Sequence, residues 1–208
     1  MKDYPSIPSA RGQQFREIQN ALVFDKKDGS SMRSEWNRKR GWYKHGRRTG
    51  LLDDSNASLA QVPILFDQRL AEPLARIAHD AHWQSLVVFY EFWGMESVAG
   101  LHVDDDPKFL TVFDCAPEND MLGPVEFRKA FEDKVPTADC LGTMHWTRGL
   151  VDQVRRGELA GVTLEGVVGK ALDRRSGEIV RAKAKTQAWV DRVLQVHGVE
   201  RGTRLIDS

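Results

Sequence analysis

Short apolar and aromatic runs bounded by polar and turn residues recur along this chain, and an apolar period of three to four takes over in a few segments. "NALVFDKK" (20–27) reads as a strand ending at its lysines, and "SSMRSEW", "NRKRG" and "WYKHGRR" read as strand, turn and strand. In "DQRLAEPLARIAHDAHW", Leu70, Leu74, Ile77 and Ala81 fall on one face, which predicts a helix with Asp67 as its N-cap. "SLVVFYEFWG" and "FLTVFDC" read as apolar, aromatic strands, with a turn at "HVDDDPK" before the second. "GPVEFRKAFED" places Pro124 at a first helical position, and "TRGLVDQVRRG" reads as a short helix. "LEGVVGKAL" and "EIVRAKAK" are predicted strands joined by the polar loop "DRRSG". "TQAWVDRVLQVHG" is a closing helix, capped by Thr186 and stopped before Gly198. No Pro/Gly/Ser-rich linker interrupts the series. The mixture predicts an α+β fold of antiparallel sheets flanked by helices, one domain over 1–208 or a compact pair of lobes.

Composition narrows the function classes. Thirty basic and thirty acidic residues cancel, so any nucleic-acid surface has to be a local patch. The dense candidate is "WNRKRGWYKHGRR", where Arg38, Lys39, Arg40, Lys44, Arg47 and Arg48 interleave with Trp36, Trp42 and Tyr43. Cations for phosphates between stacking rings suit RNA strands or ends, and a charged hairpin tip packing its rings on the core fits equally well. Cys115 and Cys140 match no disulfide framework or metal spacing, which points to a reducing, cytoplasmic setting. The start "MKDYPSIPSARG" lacks the apolar centre of a signal peptide, and no run approaches the roughly 20 apolar residues of a membrane span. His79 and His82 share a helix face without a third ligand, and "HVDDDP" reads as a solvated turn before it reads as a cation site.

Several charged residues sit where strands want apolar ones. Glu91 lies inside "VVFYEFWG", Glu165 opens "EGVVGK", and Lys183 and Lys185 occupy alternate positions of "VRAKAK", so they face one side. "VFDKKDGSSMR" (23–33) has two readings: Asp28-Gly29 as a hairpin turn with solvated lysines, or a lysine with chemistry to do. Taken singly, each of these residues is explained by an exposed edge or a satisfied buried acid.

Their order is the informative feature. The chain runs K-x-D-G (26–29), "RRTG" (47–50), "FYEFWG", "FLTVFDC", "EGVVGK" and "KAK". This ordered set resembles the covalent nucleotidyltransferases, the ATP-dependent ligases and RNA-capping enzymes, over most of the chain. "RRTG" and the opening "YPSIPS" resemble the phage-type RNA ligase branch. The resemblance implies an ATP-grasp-like ligase nucleotidyltransferase domain with Lys26 as nucleophile. It implies nucleotide contacts from Asp25, Lys26, Asp28, Gly29, Arg48, Glu91 on the ribose side, Glu165 on the metal side, and Lys183 and Lys185 on phosphates. Arg33 joins that set with two readings, nucleotide contact or solvated side chain. Family spacing puts the base-stacking position at Leu110, whereas the aromatic present is Phe109. Only "TQAWVDRVLQVHGVERGTRLIDS" follows Lys185, and the expectation is a nucleotidyltransferase domain without an appended oligonucleotide-binding domain.

The implied chemistry joins a 5′-phosphate and a 3′-hydroxyl RNA end through lysyl-AMP, with ATP and Mg2+ or Mn2+ as cofactors. A lysine amine has an ordinary pKa of about 10.4 and becomes a nucleophile only when burial or neighbouring cations disfavour its charge. The expected partners are RNA ends, with a partner protein as an aid to RNA grip and no membrane. Alternatives are a DNA ligase or RNA-capping nucleotidyltransferase working with a partner, and a non-catalytic RNA-end-binding protein.

Overall fold

Asp28 and Gly29 do not close a hairpin, because the strands on either side of them enter different sheets. In the computed structural model, β1 (Ile18–Lys26) pairs with β6 (Cys140–Trp146) and β7 (Gly166–Leu172). β2 (Gly29–Asn37) pairs instead with β3 (Gly41–Arg47) and β4 (Ser85–Trp93). The structure describes residues 1–10, 15–48, 50–52, 59–94, 97–100 and 107–207. The turn expected at 102–108 and Thr49 of "RRTG" fall wholly or partly outside these. The chain forms two compact units. One comprises Met1–Pro5, Gly29–Glu96 and Pro107–Thr137, the other Ser6–Asp28, Ser97–Asp106 and Ala138–Ser208.

The first unit holds an antiparallel sheet of order β3-β2-β4-β5, with β5 at Phe109–Pro117. Period-two patterning gives the sheet one apolar face, with Met32, Trp36, Val88, Tyr90, Phe92, Leu110 and Val112 in the core. Against it pack helices α1 (Val62–Phe66), α2 (Glu72–Asp80) and α3 (Pro124–Phe131), through Phe66, Leu74, Phe127 and Phe131 among others. Each such side chain, fully buried, contributes about 1.5–3 kcal/mol. The helix expected from Asp67 begins five residues earlier, at Val62, and Asp67–Ala71 is a π-helical turn between α1 and α2. Pro73 explains the widening: it has no N–H and its ring collides with the carbonyl four residues back, so the regular ladder cannot pass. Ala78, not Ala81, completes the buried stripe with Leu70, Leu74 and Ile77.

The second unit holds a sheet of order β6-β1-β7-β8, with β8 at Ile179–Lys185. Its apolar face, with Ala21, Val23, Val167 and Ala184, packs on Leu150, Val151 and Val154 of α4 (Arg148–Arg155). Thr147 caps α4 by accepting from the Leu150 N–H at 3.2 Å. α5 (Gln187–Asp207) starts as expected, with the Thr186 hydroxyl accepting from the Trp189 N–H at 3.1 Å. Gly198 (φ 72°) breaks the helix where a stop is expected, but the chain then winds a second stretch to Asp207. The α+β expectation of antiparallel sheets flanked by helices holds. Among the described residues no helix is long and apolar enough to cross a membrane, and neither cysteine is in a disulfide.

Candidate active site

Lys26 ends β1 directly opposite Gly166 on β7, and Gly166 stands opposite Lys185 on β8. Residues that pair across a sheet point to one face, so the two lysines flank a position without a side chain. Glycine is required there: Gly166 has φ +147°, and a Cβ would lie 2.0 Å from the Ala184 carbonyl oxygen. Glu165, one residue earlier, bridges the gap. Its Oε2 accepts from Lys26 Nζ at 2.8 Å, and its Oε1 lies 3.2 Å from Lys185 Nζ. Both glutamate and Lys185 are buried, whereas the Lys26 side chain keeps 24% of its exposure.

The next row is Phe24, Val168 and Lys183, and the one after is Leu22, Lys170 and Arg181. Lys26, Lys170, Arg181, Lys183 and Lys185 therefore share one face of this sheet. Lys170 and Arg181 were missed by sequence reading; Arg181 lies in the same alternation as Lys183 and Lys185, whereas Lys170, on β7, joins them only through the strand register. Lys170 Nζ lies 5.2 Å over the Phe24 ring, and Lys185 Nζ lies 4.3 Å over Trp189. Burial pushes the Lys185 ammonium below its ordinary range; the Glu165 charge opposes this, and Lys26 adds to it. Such a face suits a ligand that brings several negative charges, because it supplies cations in fixed places.

Two residues of K-x-D-G act on the fold. Asp28 is buried, and its carboxylate accepts from Ser97 Oγ at 2.5 Å, Val98 N at 3.1 Å and Ala99 N at 2.9 Å. Gly29 lets β2 approach β4, since a Cβ would meet the Phe92 carbonyl oxygen at 2.4 Å. Asp25 alternates away from Lys26, and its carboxylate takes Thr163 N, Thr163 Oγ1 and Lys27 Nζ. Lys27 also reaches Asp139 at 2.9 Å, so it is a half-buried tie.

In the first unit, Glu91 pairs with Ser31 and Thr111 on the sheet face turned away from the helices. Phe109 pairs with Trp93 two places along, so it shares that face; its ring stacks on Trp93 at 4.5 Å and is 40% exposed. Leu110 points the other way, into the helix-packed core. Arg33 is buried at 3% exposure, which excludes the solvated reading. Its guanidinium donates to the Lys2 carbonyl at 2.7 Å, to Asp3 and to the Gly50 carbonyl at 3.5 Å. Arg48 is half-buried just beyond β3. At the β2–β3 turn, Arg38, Lys39 and Arg40 are exposed, and Arg47 is exposed at the end of β3. The rings divide: Trp36 is buried and Trp42 donates to the Ala71 carbonyl at 2.8 Å, while Tyr43 carries Arg40 at 5.5 Å and Lys44 at 5.3 Å over its ring. His79 packs edge-on against Trp36, and among the described residues no three His, Cys, Asp or Glu side chains gather as a metal cage.

No protein-family model and no curated protein matches the sequence. Solved structures do match. An archaeal ATP-dependent RNA ligase superposes with a TM-score of 0.64 at 21% identity, covering 94% of this chain and 51% of that one. A Naegleria gruberi RNA ligase variant with AMP and Mn gives 0.59 at 16% identity, covering 84% and 52%. The apo form of another variant of that ligase gives 0.60 at 18%, covering 84% and 51%. The chain spans about half the length of these ligases, and over that half it shares their fold.

Proposed function

We propose that this chain is an ATP-dependent RNA ligase that joins 5′-phosphate and 3′-hydroxyl ends through lysyl-AMP on Lys26. The observation that carries this reading is the row Lys26–Gly166–Lys185 with Glu165 holding both ammonium groups. The fold shared with RNA ligases solved with ATP or AMP and Mn supports it.

In the first step the Lys26 amine attacks the α-phosphorus of ATP. A P–N bond forms, the bond to the β-phosphate oxygen breaks, and pyrophosphate leaves. Lys26 must first lose a proton, which passes to solvent, and Glu165 Oε2, at 2.8 Å, holds the amine in place. Lys183 and Lys185 meet the charge on the transferring phosphates from the same face. In the second step a 5′-phosphate oxygen of RNA takes the AMP, and Lys26 regains its proton. In the third, a 3′-hydroxyl attacks the 5′-phosphorus, gives up its proton and releases AMP. Glu91 is assigned to the ribose, Phe109 to the adenine, and Arg48 to the nucleotide.

Glu165 is a hard oxygen donor amid groups suited to phosphate, so it fits Mg2+ or Mn2+ held by one carboxylate, phosphate oxygens and water. When bound, such an ion supplies neutralising charge to the phosphates. The test is Glu165→Ala with ATP labelled at the α-phosphate: covalent labelling should fall steeply while the protein, less stable for the loss of a buried charged partner, stays folded at the assay temperature. A folded Glu165→Ala protein with normal labelling would remove the assignment. Labelling by GTP at or above the level of ATP would move the chain to RNA capping.

A further inference from the structure

β8 is the outer strand of its sheet, so half of its backbone N–H and C=O groups face away from β7. At Lys183 those outward groups are taken by the beginning of the chain. The Lys183 N–H donates to the Pro8 carbonyl at 3.2 Å, and the Lys183 carbonyl accepts from the Ala10 N–H at 3.0 Å. Ser9 thereby forms a parallel bridge with Lys183. Ala10 also packs against the apolar cluster that holds Val167, Ala184 and α4.

The sequence "YPSIPSA" suits that use. Pro5 and Pro8 fix φ near −65°, and Ile7, preceding a proline, is pushed to extended backbone. A stretch with so few conformations loses little entropy when it pairs. Pro8 contributes the carbonyl that the bridge needs, and it lacks only an N–H that the bridge does not use.

We infer that Pro8–Ala10 is a positioning element for Lys183 in nucleotide attachment, an inference that rests on the ATP reading above. Bonds on both sides of Lys183 fix its Cα–Cβ direction, and hence where its ammonium can stand on the face shared with Lys26 and Lys185. An outer strand released from its neighbour frays. A phosphate-binding group displaced by about 1 Å costs up to about 100-fold in rate.

The experiment removes one donor. Ala10→Pro deletes the N–H that bonds the Lys183 carbonyl, and Ala10→Gly keeps it. Labelling from ATP is measured at saturating ATP in both, and again with Lys183→Ala present, alongside amide exchange at Lys183 and neighbouring β8 positions. Ala10→Pro should slow labelling about 10- to 100-fold, Ala10→Gly should keep most of it, and β8 exchange should quicken in the proline variant alone. In the Lys183→Ala background, Ala10→Pro should add nothing, because the positioned group is already gone. Normal labelling by Ala10→Pro, or the same loss with and without Lys183, would overturn the inference and leave the ATP reading standing. No label on the unaltered protein would bring down the ATP reading, and this inference with it.

Discussion

Lys27 Nζ lies 2.8 Å from Asp25 Oδ2, on the side of β1 opposite to the one Lys26 uses to reach Glu165. Adjacent lysines thus have separate duties, decided by strand alternation. Burial lowers the Lys27 pKa, but the bonds and charges of Asp25 and Asp139 outweigh it, and the net shift is upward. Lys27 therefore stays protonated and poorly nucleophilic. Lys27→Ala should keep covalent labelling and lose stability, by about 1–3 kcal/mol, because a buried carboxylate loses a charged partner. The contribution is fully present below the unfolded lysine value and fades as pH rises through the raised folded value. Chemical denaturation of the variant checks it; unchanged stability would mean that the Lys27 ties are inert.

Lys185 has the opposite sign. Its folded pKa is lowered, first by burial and also by the Lys26 charge, against the pull of Glu165. Between the folded value and about 10.5 the unfolded chain binds more proton than the folded one, so this group makes stability rise with pH there. Lys185→Met lacks that gain. Its stability minus that of the unaltered protein should fall, becoming less positive or more negative, as pH rises through that window, and melting curves at several pH values would show it. A difference that does not move with pH would contradict the sign.

Phe109 and Leu110 are neighbours with opposite faces. Phe109→Ala should raise the ATP concentration needed for half-maximal labelling, with little change in melting temperature. Leu110→Ala should destabilise by about 2–5 kcal/mol through the cavity it leaves. An altered ATP dependence in Leu110→Ala and none in Phe109→Ala would reassign the base contact.

The β2–β3 turn is a separate question of RNA grip. Replacing Arg38, Lys39 and Arg40 with alanine should weaken RNA sealing and spare labelling from ATP. The salt dependence of RNA binding should flatten by up to about 2 log units per log unit of salt, at roughly 0.7 for each phosphate no longer neutralised. Equal loss of both steps would place these cations at the nucleotide; loss of neither would make the turn plain surface.

The sheets were legible because "LVVFYEFW" is a nearly continuous apolar, aromatic run and period-two alternation survives in "VRAKAK". β6 was not: "CLGTMHW" is mostly half-buried or exposed and carries Gly142 at φ +121°, so no clean alternation announces it. The helix around Pro73 was legible in its apolar stripe but not in its start, because the π turn that accommodates the proline is a backbone adjustment without a composition signal. At the site, Lys26, Glu165, Lys183 and Lys185 were read from their order, yet the bond between Lys26 and Glu165 spans 139 positions and needs the β1–β7 register to exist. Asp25, Asp28 and Arg33 were read as nucleotide contacts. Their partners at Thr163, at Ser97–Ala99 and at Lys2–Asp3 are set by how loops and the N-terminus settle, which local pattern does not carry.

The central claim is that Lys26 carries the nucleotide. The direct measurement is mass analysis of peptides after incubation with ATP and Mn2+, comparing the unaltered protein with Lys26→Ala and Lys27→Ala. One AMP should be found on Lys26, absent from Lys26→Ala and retained by Lys27→Ala. An adduct on Lys27, or an adduct that survives in Lys26→Ala, would contradict the account.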